Sequence, residues 1–127
     1  MNVSGRPGLL QLRLQLLARA DAITVHVPKT DATANLVDAD LIASMKKGVR
    51  IVNCARGGLV DEAALADLVR AGHIAGAAFD VFEVEPPKPD NPLLKMSNVI
   101  LSPHNASASA RFDPARKRRV GQELALV

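Results

Sequence analysis

A chain of 127 residues that is 48% hydrophobic has room for one domain with a real core, and only 2% of its residues are aromatic, so that core must come from Ala, Val, Leu and Ile. A single cysteine excludes an internal disulfide and points to a reducing, cytoplasmic setting. The net charge of +3 is concentrated in Arg111, Arg116, Lys117, Arg118 and Arg119, a run broken by Phe112, Asp113 and Pro114; it reads as the wet face of a helix rather than a nucleic-acid or membrane surface.

Met1 to Gly8 is polar, punctuated by Gly and Pro, and lacks the basic, apolar and small-residue order of a signal peptide. No apolar run anywhere is long enough to span a bilayer. Leucines at 9, 10, 12, 14, 16 and 17 predict a helix over 9–20, although the 12, 14, 16 spacing also fits a strand. Ala22 to Val27 (AITVHV) is a β-branched run that Pro28 closes. A polar loop carrying Thr30 and Thr33 follows. Asp38 is the expected N-cap of a helix over 39–47, with Leu41, Ile42 and Met45 on one face and Lys46 and Lys47 at its C-terminal end.

The stretch from Gly48 to Glu62 (GVRIVNCARGGLVDE) is the most informative. Val49 to Asn53 has no polar alternation on its flanks, as expected of a parallel strand buried on both faces. Gly57–Gly58 makes a sharp turn, and Asp61 and Glu62 open a helix that runs to Ala71 and stops at Gly72. Ile74 to Val81 is a small-residue strand with Asp80 near its end, 82–95 a proline-rich loop, and Asn98 to Ser102 a fourth strand closed by Pro103. The remainder, 105–127, reads as a loop and then a helix. No Asn-Gly hairpin signal and no internal repeat occurs, so strands alternate with helical crossovers, which predicts an α/β fold with a parallel sheet.

In such a sheet His26 with Pro28, Arg56, Asp80 and His104 all fall at or just past the C-terminal end of a strand, and Glu85 lies close enough to join them. A histidine beside a carboxylate is oriented for general acid–base work. An arginine nearby can grip a carboxylate or polarise a carbonyl. Each residue also has a plainer reading. His104 could be a surface turn residue, Glu85 a solvated acid, Arg56 a cap, Cys54 a packing residue and His26 structural. Asp80, inside an apolar run, needs a partner in any case. No compact HxxxH or CxxC spacing suggests a metal.

Three segments, ADAITVHVPKTDAT, MKKGVRIVNCARGGLVDEAALADLVRAGHIAGAAFDVFEVEP and NPLLKMSNVILSPH, resemble the D-isomer-specific 2-hydroxyacid dehydrogenases with consistent spacing from about Leu16 to His104. The resemblance implies a Rossmann-like domain that binds NAD and a small 2-hydroxy or 2-oxo acid. By it, Arg56 would bind the substrate's carboxylate and carbonyl, Glu85 would pair with His104, and His104 would move the proton. His26, Val27, Pro28, Thr33, Cys54, Ala55, Arg56 and His104 would contact NAD, with Asp80 on the nicotinamide side and Ala106 at the nicotinamide amide.

The family's GxGxxG phosphate loop and its separate substrate domain are absent from these residues. The whole of 1–127 therefore reads as the C-terminal half of a dinucleotide-binding domain. Two functions follow: the NAD-binding portion of an oxidoreductase acting on D-2-hydroxy acids, or a truncated, inactive fragment serving at most as a weak nucleotide- or protein-binding module. The chain alone is expected to bind NADH weakly and to turn over little. An unpaired sheet edge invites association, and a homodimer is compatible with it.

Overall fold

A computed structural model of the chain describes residues 7–106. Helix α1 (Pro7–Arg19) leads into strand β1 (Ala22–Val25), followed by α2 (Ala39–Ala43), β2 (Val49–Asn53), α3 (Glu62–Arg70), β3 (Ile74–Phe79), a 3₁₀ turn (Pro92–Lys95) and β4 (Val99–Leu101). The strands pair in chain order, β1-β2-β3-β4, and every pairing is parallel, as the alternation of strands and crossovers predicts. The helix expected after Asn105 and the basic run from Arg111 to Arg119 lie outside the described residues.

Local chemistry sets the helix ends. Asp38 caps α2 by accepting a hydrogen bond from the Leu41 amide at 2.9 Å, and Asp61 caps α3 through the Ala64 amide at 3.0 Å. Each such cap is worth about 1 kcal/mol. In α3 the stripe Leu65, Ala66 and Val69 is buried, with Glu62 in its first turn and Arg70 in its last, both favourable to the helix dipole. Helix α2 is shorter than its sequence predicts. The Ser44 hydroxyl donates to the Leu41 carbonyl at 2.7 Å and closes the last turn, while Lys46 leaves the helix axis to pair with Asp21 at 2.5 Å. Met45 is thereby turned into the core.

Strands β1, β3 and β4 are also shorter than expected, because pairing stops where the sheet register stops. Val25, Asn53, Phe79 and Leu101 are the last residues in register. His26 and Val27 therefore lie beyond β1 rather than inside it.

The core sits on one side of the sheet. Ile42, Met45, Leu65, Ala66 and Val69 from the helices, joined by Leu17 from α1, meet Val25, Val49, Ile51, Ile74, Ala77, Phe79 and Val99. A bulge between Val49 and Arg50 lets β3 skip Ala75, so that both Ile74 and Ala77 reach this side. The opposite side is open among the described residues: β2 alternates buried and accessible positions, with Arg50 exposed and Val52 half-buried, and Ile100 is 74% exposed. The expectation that β2 is covered on both faces is thus corrected. Apolar identity at Val52 and Ile100 belongs to a face without a covering layer here.

One-sided burial makes two isoleucines on neighbouring strands unequal. Ile51, 0% exposed, is expected to cost about 2–5 kcal/mol as I51A. Ile100 is expected to cost about 0.5 kcal/mol or less as I100A. Urea unfolding of both variants is the check, and equal losses would mean that the second face is covered in solution.

Candidate active site

Because every strand runs the same way, the segments that follow them leave from one edge. The segment after β2 is shaped by Asn53, which is 1% exposed: its Nδ2 donates to the Arg56 carbonyl at 3.0 Å and its Oδ1 accepts from the Ala55 amide at 3.1 Å. This buried amide folds Cys54–Ala55–Arg56 into a turn and presents Arg56 at the surface, where its guanidinium donates to the Ala55 carbonyl at 2.6 Å. Cys54, expected to pack, is exposed instead.

After β3, the chain meets Asp80, a carboxylate only 3% exposed. The partner that a buried aspartate requires is the segment after β4. Asp80 Oδ1 accepts from the Ser102 hydroxyl at 2.6 Å and from the Asn105 amide at 2.9 Å, and Oδ2 accepts from the Ala106 amide at 3.0 Å. Burial alone would push this carboxyl up. The Ser102 hydroxyl, the two amides and the nearby His104 outweigh it and hold the group below the usual aspartate value. Both Asp80 and the Ala106 amide are therefore committed to this loop.

That loop carries His104, held at φ 54° in the left-handed region. Its Nδ1 lies 2.7 Å from Glu85 Oε2, and Glu85 Oε1 accepts from the Phe82 amide at 3.1 Å. An ionised carboxylate can only accept, so the proton of this contact sits on Nδ1, and Nε2 is the nitrogen turned away from it. Nε2 makes no hydrogen bond among the described residues. The His104 hydrogen bond first, and the Phe82 amide second, hold the Glu85 carboxyl below its ordinary value against partial burial and the charge of Asp80. Glu85 is thus both exposed and paired. The pair borders a cavity of about 330 Å³ with Phe82, Pro86, Pro87 and Pro103.

A separate cavity of about 440 Å³ is lined by His26, Val27, Pro28, Lys29, Ala55 and Arg56. Arg56 borders this cavity rather than that of the pair. His26 Nε2 shares a 2.8 Å hydrogen bond with the Thr24 hydroxyl. Thr33 is used locally: its hydroxyl donates to the Pro28 carbonyl and accepts from the Thr30 amide, both at 2.7 Å, which stabilises the turn behind Pro28. His73, the third histidine, precedes β3 at the opposite edge of the sheet. Among the described residues no cluster of His, Cys, Asp or Glu could hold a metal ion.

Sequence reasoning missed Asn53 and Ser102. For Asn53 the signal was a polar residue ending an otherwise apolar strand; for Ser102 none stands out. The Gly57–Gly58 turn also differs from an anion cradle. A Cβ on Gly57 would fall 1.7 Å from the Phe82 carbonyl oxygen, and one on Gly58 would meet Lys29 Nζ at 2.6 Å. Backbone occupies the space beside Gly57, whereas beside Gly58 stands the end of the Lys29 side chain.

With both carboxyls depressed in the folded chain, each stabilises the fold fully above its unfolded value, about 3.9 for Asp and 4.3 for Glu, and the contribution is lost as pH falls through the lower folded values. The decline in unfolding free energy below about pH 4 is therefore expected to be shallower in D80N and E85Q. D80N is further expected to cost about 1–3 kcal/mol at pH 7, because the Ala106 amide faces a donor instead of an acceptor. Denaturant unfolding across pH 2–7 decides this, and an unaltered acid slope in D80N would count against it.

Comparison with known proteins bears on the family and the fold. A family model described as D-isomer specific 2-hydroxyacid dehydrogenase, NAD binding domain, matches residues 11–106. The chain is 55% identical over 94 residues to D-3-phosphoglycerate dehydrogenase of Archaeoglobus fulgidus, covering 74% of this chain and 18% of that protein. It is 56% identical over 110 residues to the Bacillus subtilis enzyme of the same name, covering 87% and 21%. Among solved structures, a D-isomer specific 2-hydroxyacid dehydrogenase from Xanthobacter autotrophicus Py2 in complex with NADPH and MES superposes with TM-score 0.72 at 43% identity, over 75% of this chain and 30% of that one. The NAD-complexed form of the Lactobacillus delbrueckii ssp. bulgaricus enzyme gives TM-score 0.71 at 33% identity, over 76% and 34%. The chain spans about a fifth of the length of these sequence relatives. With three quarters of its residues inside the family model, it belongs to the NAD-binding-domain family of the D-isomer specific 2-hydroxyacid dehydrogenases.

Proposed function

We propose that these residues form the proton-handling half of a dehydrogenase site that interconverts a 2-oxo acid and a D-2-hydroxy acid. The observation that carries the reading is the 2.7 Å contact between His104 Nδ1 and Glu85 Oε2 on a loop pinned by Asp80. In the reducing direction His104 Nε2 gives its proton to the carbonyl oxygen. In the oxidising direction it takes the hydroxyl proton back, and Glu85 balances the imidazolium that forms. Arg56, swinging from the Ala55 carbonyl, grips the substrate carboxylate with its forked N–H groups. Asp80 acts through the loop backbone.

The residues present fit the nicotinamide end of NAD better than its pyrophosphate. His26, Val27, Pro28, Ala55 and Arg56 line an open hollow at the strand ends, the place where α/β sheets take ligands. Cys54 lies beside it, and Thr33 serves by holding the turn that ends at Pro28. Ala106 borders the same edge through its backbone. No GxGxxG turn accompanies them in the sequence, and the space beside Gly57 is taken by the Phe82 backbone. When bound, NAD(H) supplies or accepts the hydride.

The small-molecule partner in this reading is a 2-hydroxy or 2-oxo acid, and the setting is the cytoplasm. No helix among the described residues is long and apolar enough to cross a membrane. Strands β1 and β4 are the outer strands among the described residues, and an unpaired edge there would invite a homodimer.

A second reading, a fragment that keeps these side chains without turning over, is favoured for the isolated 127-residue chain by the lack of a GxGxxG turn in its sequence. NADH titrated against the purified 127-residue chain is expected to bind with Kd of about 1 mM or weaker. Any NADH oxidation driven by glyoxylate or hydroxypyruvate is expected to be slow and to fall by about 10²-fold or more in H104A. Micromolar binding would overturn the fragment reading, and turnover unaffected by H104A would overturn the role of His104.

A further inference from the structure

We propose that Glu62, in the first turn of α3, is a positioning residue for the Glu85–His104 pair, setting it by holding both ends of the segment that carries Glu85. The inference rests on the reading of that pair as the proton-handling site. Glu62 touches neither member of it. Its Oε1 accepts a hydrogen bond from the Glu83 amide at 2.6 Å, and its Oε2 accepts from Asn91 Nδ2 at 2.9 Å. Glu83 stands two residues before Glu85, and Asn91 closes the same proline-rich loop.

Between these anchors the loop has little of its own to hold it. Pro86, Pro87 and Pro89 remove three amide donors. The Asn91 amide donates to the Lys88 carbonyl at 2.9 Å, which tightens only the last part of the segment. Asn91 is a firm anchor, because its Oδ1 accepts from the Leu93 amide at 3.0 Å and Leu93 is 0% exposed in the core. The first anchor is adjoined by Phe82, whose amide donates to Glu85 Oε1 at 3.1 Å and whose carbonyl is packed against Gly57 with no room for a Cβ. One continuous path therefore runs from α3 to the imidazole: the Glu62 carboxylate, the Phe82–Glu83 backbone, the Glu85 carboxylate, His104. Asp61 already caps the helix through the Ala64 amide, so the Glu62 oxygens are left for the loop.

A merely structural glutamate would affect stability and leave the pair untouched, so the test reads the pair directly. In the full 127-residue chain, hydrogen exchange at the Glu83 amide and NMR titration of the Glu85 carboxyl carbon are compared in the unsubstituted protein, E62A and E62Q. The titratable groups facing Glu85 are His104 and Asp80, and both are retained in every variant. E62A is expected to speed Glu83 exchange on the order of tenfold. It is also expected to move the Glu85 titration upward, toward the ordinary glutamate range. E62Q, which keeps one acceptor, is expected to do less of both. A folded E62A with an unshifted Glu85 titration overturns the proposal. Should E62A fail to fold, N91A removes only the second anchor and carries the same expectation in direction; an unshifted Glu85 there overturns it equally. None of these readings depends on NADH or turnover, so a failure of the dehydrogenase reading would be seen separately, in the response to H104A.

Discussion

A buried carboxylate that must be satisfied organises the whole site. Leaving Asp80 unpaired among Phe79, Val81 and Phe82 would cost several kcal/mol, and its three acceptor contacts, to Ser102, Asn105 and Ala106, all go to the segment after β4. That segment carries His104. The position of the imidazole is thus a by-product of satisfying a neighbour, and the Glu85 contact needs only to complete an orientation already largely fixed. Asn53 does the same for Arg56 one strand over. In both cases a polar residue at the end of an apolar strand folds the loop beyond it.

Much of this was legible in the chain. Strand–crossover alternation forced a parallel sheet, and a parallel sheet forced the ends of four strands onto one edge. His104, Glu85 and Asp80 could be placed near one another on those grounds alone, and the need of Asp80 for a partner followed from its apolar neighbours. What the residues could not disclose was which atoms satisfy it: backbone amides carry no side-chain signal, and Ala106 and Asn105 serve through theirs. Boundaries slipped for a related reason. AITVHV looks like six residues of strand, yet a strand exists only where a neighbour pairs with it, and β2 ends at Asn53.

Coverage of the sheet was misjudged for want of a distinction that apolarity does not make. Ile51 and Val52 are equally hydrophobic, but only one faces the helices. A run of β-branched residues records that a strand belongs to a sheet without recording how many layers lie over it. The chain spans about a fifth of the length of its sequence relatives, and among the described residues one face of its sheet carries no helix.

The backbone at His104 has a consequence of its own. A φ of 54° suits glycine or asparagine, and for a residue with a bulky Cβ substituent it costs about 1 kcal/mol. Shape preference alone would therefore choose a smaller residue at this turn. An imidazole there sets conformational ease against the role proposed for it, and a chain improved only for thermal endurance would tend to surrender it.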